Sequence, residues 1–354
     1  MNDHPRGVSL ERTCLASSPT PHPRAAPPRP GRLLILGYQG ATPPDSLFAF
    51  AARFGLGGAI LFARNCPDAA TVAAATAALR RGLAEADPGS PALVLVDQEG
   101  GRVERLREGM PHLAAARAFG DDPEGEPRLA QAVEAQARAL AALGVTVNLA
   151  PVCDVVQEEE SGAIGDRSFG GDPQRVARLA AAHVGATLAG GVLPCAKHFP
   201  GHGAARADSH RALPRVARTL PELEACDLVP FRAAIAAGVP LVMAGHLLFA
   251  AVSASPATLC RSWLQGVLRG GLGFGGAVVS DDLEMGALAG LGSPEEVAVR
   301  AARAGCDLLI YGRMLRPELD VEEVAEALAQ EVPQDRLAEA EDRIQRLLPC
   351  PRPA

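Results

Sequence analysis

Eight short apolar runs, separated by longer segments with helical patterning, constrain the fold of this chain more than any other feature of its sequence. They occupy residues 33–37, 58–62, 92–97, 145–150, 192–197, 241–245, 277–281 and 307–311. Almost none of them alternates polar with apolar residues, which is typical of strands buried on both faces of a parallel sheet. Their alternation with helical segments predicts repeated βα units.

Eight βα units in succession predict an α/β protein with a single (β/α)8 TIM barrel. A doubly wound open sheet is the alternative, but no Gly-x-Gly-x-x-Gly fingerprint follows an early run. Residues 1–30 are rich in Pro and Arg and cannot bury enough apolar surface to fold. The expected organisation is a disordered leader over 1–30 and one barrel domain over 31–350.

Helix boundary signals between the runs support this division. Residues 219–222 and 293–296 have the Ser/Thr-x-x-Glu pattern of a capping box, in which two end groups of a helix satisfy each other. Gly238 and Gly305 stand just before the sixth and eighth runs, where helix C-caps belong. These signals predict helices that end immediately before a strand.

The amino-acid composition of the chain argues against several classes of binding partner. The chain has 34 Lys and Arg against 41 Asp and Glu, a formal net charge of -7, which argues against nucleic-acid binding. Its 8 cysteines include no Cys-x-x-Cys pair and predict reduced core residues, as in a cytosolic protein. No apolar run approaches the ~18 residues of a membrane helix, and the N-terminus lacks the apolar core of a secretory signal. We therefore expect a cytoplasmic protein without nucleic-acid or membrane partners; its oligomeric state is not predicted.

Ionisable residues follow several of the runs directly. Lys197 and His198 end the fifth run, and Pro200 after them rules out a continuing helix. Asp97 and Asp281 end the third and seventh runs. One such Asp is as readily a helix cap as a site residue. In a barrel, however, all of these strand ends, and His246 after the sixth run, meet at one mouth, where catalytic residues lie.

Residues 197–203, Lys-His-Phe-Pro-Gly-His-Gly, followed by Asp-Ser-His at 208–210, resemble the signature of the β-N-acetylhexosaminidases of glycoside hydrolase family 3, the NagZ type. The similarity extends through residues 97–105, 165–170 and 280–285, in the order in which the family has them. It implies a cofactor-free, metal-free barrel that hydrolyses a glycosidic bond with retention of configuration.

The resemblance also implies roles for three residues in catalysis. Asp281, after the small residue of its motif, corresponds to the nucleophile, whereas Asp282 is a structural acceptor. His210 corresponds to the acid/base, with Asp208 as its partner. An imidazole with a pKa near ~6.5 can give and take a proton at neutral pH, and an Asp can orient it. From the residues alone, a turn at Asp208 and a surface His210 are the alternative.

The resemblance also implies that residues of three motifs bind the sugar. Asp97 would accept hydrogen bonds from hydroxyl groups, and the others would donate them. The implied substrate-binding residues are Asp97, Arg105, Arg167, Lys197 and His198.

One departure from the family is visible, because residues 204–207 are Ala-Ala-Arg-Ala where the family has a more polar stretch of the same length.

The sequence thus predicts a retaining exo-β-N-acetylglucosaminidase that acts on a small carbohydrate, such as a GlcNAc-containing muropeptide of peptidoglycan recycling. Aromatic residues make up only 4% of the chain, which favours a short substrate over a long polysaccharide. A family 3 β-glucosidase or a glycoside phosphorylase is the alternative, since a His donor, unlike a carboxylate, does not repel phosphate. More distant alternatives are a sugar-binding barrel without activity and a metal-dependent hydrolase with ligands at His198, His202, Asp208 and His210.

Overall fold

The computed structural model describes residues 28–156, 163–205, 209, 211–313 and 319–348. Within them, eight parallel strands close into a barrel, and each pairs with its neighbours in chain order. The strands are β1 Leu34–Leu36, β2 Gly58–Leu61, β3 Leu93–Val96, β4 Val147–Asn148, β5 Leu193–Phe199, β6 Leu241–Ala244, β7 Ala277–Asp282 and β8 Leu308–Tyr311. Each coincides with a predicted run, and β1 pairs with β8 through Leu34 and Leu309. The predicted barrel is confirmed, and the open sheet is excluded.

Helices follow the strands and cover the outside of the barrel. They are α1 Asp45–Phe54, α2 Ala69–Ala86, α3 Ala116–Gly120, α4 Gly125–Ala142, α5 Pro173–Ala189, α6 Leu220–Ala225, α7 Leu228–Ala236, α8 Pro294–Ala304, α9 Val321–Glu331 and α10 Gln334–Gln345, with a π-helical segment Ser262–Gly271 between β6 and β7. The predicted capping box at α8 forms, because Ser293 N donates to the Glu296 carboxylate at 2.9 Å and Glu296 N to Ser293 Oγ at 3.3 Å. Gly305 ends α8 at φ +128°, a conformation that favours glycine.

Side chains from the strands fill the barrel interior. Alternate residues of each strand point inward, so Ile35, Ile60 and Leu95 meet Met243 and Ile310 in one apolar cluster. The neighbouring residues point outward and pack under the helices. Because the interior is packed, it closes the floor of any cavity at the mouth.

The chain before the barrel is described only from residue 28, so the predicted disordered leader falls almost entirely outside the described residues. At its end, Arg29 and Arg32 both bind the buried Asp87, at 2.7 Å each. In the described part of the chain, no helix combines enough length with enough apolar character to cross a membrane.

A buried carboxylate ties together the barrel end opposite the mouth. Asp307, which precedes β8, is fully buried and accepts from Arg269 and Arg336 at 2.7 Å each and from Arg343 at 3.2 Å. It also accepts from Val278 N at 2.9 Å. One carboxylate therefore partly neutralises three guanidinium groups, one from the π-helical segment and two from α10.

Replacement of Asp307 by Asn is expected to lower the free energy of unfolding by about 3–5 kcal/mol, because it leaves buried cations without their counter-charge. Chemical denaturation measures the loss. The matched control is Glu331→Gln, which removes one negative charge from an exposed position and is expected to change stability by no more than about 0.5 kcal/mol. Equal effects of the two changes would contradict a structural role for this ion cluster.

Candidate active site at the barrel mouth

A cavity of about 480 Å³ lies at the carboxyl ends of the strands. Among its lining residues are six of the eight predicted site residues: Asp97, Arg105, Arg167, Lys197, His198 and Asp281. The other two, Asp208 and His210, lie outside the described residues. Strand ends that are far apart in the chain thus contribute to one concave surface, which is the usual form of a small-ligand site.

A short hairpin after β3 brings Arg105 to the cavity. Its strands are Gln98–Gly100 and Val103–Glu104. The Gln98 side-chain oxygen accepts from the backbone N of both Arg105 and Leu106 at 3.0 Å. The hairpin therefore folds Arg105 back toward Asp97, whose Oδ2 lies 3.5 Å from the Arg105 guanidinium.

Alternating charges hold the predicted sugar-binding cations in place. Lys197 Nζ lies 2.7 Å from Asp97 Oδ1 and 2.6 Å from Glu99 Oε1. Arg167 donates to both Glu99 oxygens, at 2.8 and 2.7 Å. Burial raises the pKa of Asp97, but the nearby positive charges of Lys197 and Arg105 lower it. The second effect is the larger, so the pKa of Asp97 lies below its ordinary value. Glu99, which sequence reasoning did not place in the site, positions both cations.

A buried carboxylate orients His198. Asp154 Oδ2 lies 2.7 Å from His198 Nδ1, and Asp154 Oδ1 accepts from the backbone N of His202 at 2.6 Å. Burial raises the pKa of Asp154, but His198 lowers it more, so the carboxylate stays ionised. Nδ1 is therefore the protonated nitrogen, and Nε2 lies 3.5 Å from Arg167 Nη2. The peptide bond between Lys197 and His198 is cis.

Asp154 was missed by sequence reasoning, although the chain carries a signal for it. It follows the fourth apolar run by four positions, close to the strand-end placement that singled out Asp97 and Asp281. The segment Pro151-Val-Cys153 separates Asp154 from the end of the run. Val152 in this segment still forms a β-bridge to Lys197, so the paired backbone continues beyond the run that the sequence shows.

Two adjacent carboxyl groups end β7. Asp281 Oδ1 accepts from Asp282 N at 2.8 Å. Burial raises the pKa of Asp281, but His246 and His198 together lower it more, and the net shift is downward. Burial raises the pKa of Asp282 to about 7, with the Glu284 carboxylate as a further raising influence. At neutral pH, Asp281 is thus ionised while Asp282 is partly protonated, so Asp281 is the better candidate for a nucleophile, which needs a negative charge.

The raised pKa of Asp282 predicts a pH-dependent effect on stability. Between the unfolded pKa near ~3.9 and the folded pKa of about 7, the folded chain keeps a proton that the unfolded chain releases, so this group's contribution to stability falls as pH rises. Asp282→Asn cannot titrate. Thermal unfolding at several pH values is expected to show the variant gaining stability relative to the wild type as pH rises from 4 to about 7.

Asp121→Asn, which removes an exposed carboxylate, is the matched control for that comparison. A stability difference between Asp282→Asn and the wild type that stays constant with pH would show that Asp282 ionises in the folded protein as it does in water.

Ser209, between the predicted acid/base residues in the sequence, is anchored on two sides. His202, which lines the cavity, has its Nε2 3.1 Å from Ser209 Oγ. The Ser209 carbonyl accepts from Ala287 N at 3.0 Å. Ser209 therefore connects the loop after β5, which contains His202, to the segment that follows β7.

His246 differs from its predicted place at the mouth. It lies at the same end of the barrel but is fully buried and does not line the cavity. Its ring nitrogens contact Thr258 Oγ1 at 2.8 Å and the Asp282 carbonyl at 3.0 Å. The ring is therefore held beneath the end of β7. A residue's position directly after a strand predicts at which end of the barrel it lies. It does not predict whether the side chain points into the cavity.

A metal-binding arrangement was one of the sequence-based alternatives. Within the described ranges, no group of three or more His, Cys, Asp or Glu residues could hold a metal ion. Two of the four ligands in that alternative, Asp208 and His210, are outside those ranges.

Comparison with known proteins matches residues 44–347 to the Glycosyl hydrolase family 3 N terminal domain. A β-hexosaminidase of Pseudomonas aeruginosa (strain LESB58) is 41% identical over 253 residues, which cover 72% of this chain and 74% of that protein. A family 3 β-N-acetylglucosaminidase from Paenibacillus sp. str. FPU-7 has a TM-score of 0.84 and 35% identity, and the match covers 90% of this chain but only 61% of that chain. NagZ from Neisseria gonorrhoeae, in complex with N-trifluoroacetyl-D-glucosamine, has a TM-score of 0.74 and 31% identity over 90% of this chain and 98% of that one.

The family match extends from α1 through α10 and so includes strands β2 to β8 and the residues that line the cavity. The motifs that resembled this family in the sequence supply most of the polar side chains that line the cavity. This chain belongs to glycoside hydrolase family 3.

Proposed function

We propose that this glycoside hydrolase is a retaining exo-β-N-acetylglucosaminidase that removes terminal non-reducing GlcNAc from short glycans, including muropeptides of peptidoglycan recycling. The observation that carries the proposal is the ionised Asp281 in the same cavity as the Asp97, Lys197 and His198 side chains. The names of the Pseudomonas and Paenibacillus relatives and the N-acylated glucosamine bound by the Neisseria relative support the choice of sugar.

In the proposed first step, an Asp281 oxygen attacks the anomeric carbon while His210 gives its proton to the departing oxygen. The glycosidic bond breaks and a glycosyl ester of Asp281 forms. In the second step, His210 takes a proton from water as the water oxygen attacks the same carbon. The ester bond breaks and Asp281 returns as a carboxylate, so two inversions give retention. Asp208 holds the His210 ring and stabilises its charged form.

Sugar binding in this proposal uses groups that are already charged and oriented. Asp97 accepts from hydroxyl groups, while Lys197, Arg105 and Arg167 donate to the sugar. His198, whose Nδ1 proton faces Asp154, offers its Nε2 as an acceptor for a sugar hydroxyl. Because the cations are held by carboxylates of the protein, little side-chain freedom is lost when a sugar binds. The packed barrel interior below the cavity supports an exo enzyme, since a glycan can enter by its end.

The test is turnover of nitrophenyl β-GlcNAc and nitrophenyl β-glucoside, with and without phosphate and with a chelator. We expect hydrolysis of the GlcNAc glycoside, initial release of the β anomer, and no effect of the chelator. Faster turnover of the glucoside would identify a β-glucosidase, and GlcNAc 1-phosphate formation would identify a phosphorylase. Inhibition by the chelator would support a metal enzyme, and no turnover of either glycoside would support a sugar-binding barrel.

A further inference from the structure

His246 is a fully buried histidine beside the proposed nucleophile that the proposed reaction does not use. Its surroundings are well defined: Thr258 lies on one side of the ring and the end of β7 on the other. Both ring nitrogens have oxygen neighbours within hydrogen-bond distance, so the donors and acceptors around the ring can be assigned one by one.

The first nitrogen must be a donor. His246 Nε2 lies 3.0 Å from the carbonyl oxygen of Asp282. A backbone carbonyl only accepts hydrogen bonds, so this nitrogen has to carry a proton. The bond also fixes the peptide between Asp282 and Leu283, one residue beyond Asp281.

The second nitrogen faces a hydroxyl whose proton is already in use. His246 Nδ1 lies 2.8 Å from Thr258 Oγ1. That oxygen is also 2.8 Å from the Gly245 carbonyl and 3.1 Å from the Ala244 carbonyl. If the hydroxyl donated its single proton to the ring, neither carbonyl oxygen would receive a hydrogen bond from Oγ1, although both lie within hydrogen-bond distance of it. The hydroxyl therefore donates to a carbonyl, and Nδ1 donates to the hydroxyl.

A ring with protons on both nitrogens is an imidazolium cation, and a buried cation is stable only when a negative charge lies near it. Asp281 meets this requirement, because it directly precedes Asp282, whose carbonyl His246 holds, and the His246 charge acts on its carboxyl. Among the groups that favour the ionised form of Asp281, His246 acts more strongly than His198.

We propose that His246 is a buried imidazolium that keeps Asp281 ionised, and so acts as a positioning residue for the nucleophile. The inference rests on the proposed function, in which Asp281 attacks the sugar. The charge serves both steps of that reaction, because it keeps the carboxylate free of a proton for attack and stabilises the same carboxylate when it leaves the sugar. His246 acts on Asp281 through its charge and through its hydrogen bond to the Asp282 carbonyl.

Other titratable groups also face Asp281, and they are common to the wild type and any His246 variant. They come from β5, from the loop after it and from β7, and among the described residues they include Cys195, Lys197, His198, His202 and Asp282. A comparison of variant with wild type therefore isolates the charge of His246.

The first experiment is the pH profile of kcat/KM for His246→Gln, whose side-chain amide can still donate to the Asp282 carbonyl but has no charge. Loss of a nearby positive charge raises the pKa of Asp281, so the acid limb of the profile is expected to move up by about 1–3 pH units. If His246 is neutral in the wild type, the acid limb stays in place even when kcat falls, and the inference is overturned.

The second experiment does not require turnover. The wild-type protein labelled with 15N at histidine is expected to show both ring nitrogens of His246 as protonated nitrogens at neutral pH, whereas a neutral ring has one nitrogen with the very different shift of an unprotonated imidazole. Assignment uses the signal missing from His246→Gln or, if that variant does not fold, from His246→Asn.

The two readouts separate this inference from the proposed function. A charged His246 in a protein that hydrolyses no GlcNAc glycoside would contradict the proposed function while leaving the charge pair intact. A neutral His246 in an active enzyme would overturn only the inference. In Asp281→Asn, which lacks the counter-charge, the His246 ring is expected to lose its proton at lower pH than in the wild type, because coupling between two sites is reciprocal.

Discussion

Replacement of Asp281 by Asn is expected to lower kcat by about 10⁴–10⁶-fold, since removal of a nucleophile abolishes the covalent route and leaves only binding and the remaining polar groups. The change keeps the size of the side chain and its acceptor oxygen toward Asp282 N, so the end of β7 is expected to stay folded. Asp282→Asn is the matched control. It changes the neighbouring carboxyl and is expected to lose far less activity, because Asp282 is already partly neutral at pH 7.

Chemical labelling tests independently whether Asp281 is the nucleophile. A 5-fluoro glycoside forms a slowly hydrolysed glycosyl-enzyme, so mass spectrometry of digested protein is expected to find one added sugar residue on Asp281. Labelling of Asp282, or inversion at the anomeric carbon in the products, would rule out this nucleophile. The His246 proposal would lose its target at the same time.

Replacement of His210 by Ala is expected to slow hydrolysis of a natural disaccharide by about 10²–10⁴-fold, the range for loss of general acid-base catalysis. An activated nitrophenyl glycoside needs little help to leave, so its glycosylation step is expected to suffer much less, and the glycosyl-enzyme accumulates because no base activates water. Parallel steady-state and burst measurements on the two substrates reveal this difference. Asp208→Ala is expected to show the same dependence on the leaving group in weaker form.

A matched control for this variant is His112→Ala, because the His112 side chain is 72% exposed and is paired with Glu104 outside the main cavity. It is expected to leave the rates on both substrates unchanged. If His210→Ala slows both substrates equally while the protein stays folded, His210 is a binding or loop residue. The acid/base would then be sought at His198 and His202, which line the cavity.

Local patterns in the sequence were sufficient to predict the strands and several helix ends. A run such as 92–97 is apolar on both faces wherever it occurs in a parallel barrel, and a capping box such as that of Ser293 and Glu296 is completed within four residues. Because every strand of a parallel barrel points the same way, chain position also predicted that Asp97 and Asp281 end at one mouth. The cavity confirms this placement.

Such local patterns could not predict which side chains of the site pair with each other. Asp154 orients His198 across 44 residues of chain, and Asp97 binds Lys197 across 100 residues. Nothing in the sequence near one member of such a pair indicates the other, so Asp154 was missed and Glu99 was assigned no role in the site.

The sequence by itself determined the barrel, its family and the end of the barrel at which the chemistry is expected, because these follow from short-range periodicity and motif order. Only the tertiary structure decided how charge is distributed there. It placed His246 beneath β7 instead of in the cavity, and it separated the pKa values of the adjacent Asp281 and Asp282. The physical reason is that burial and electrostatic interactions depend on distances in space between groups from different strands, and local sequence does not encode those distances.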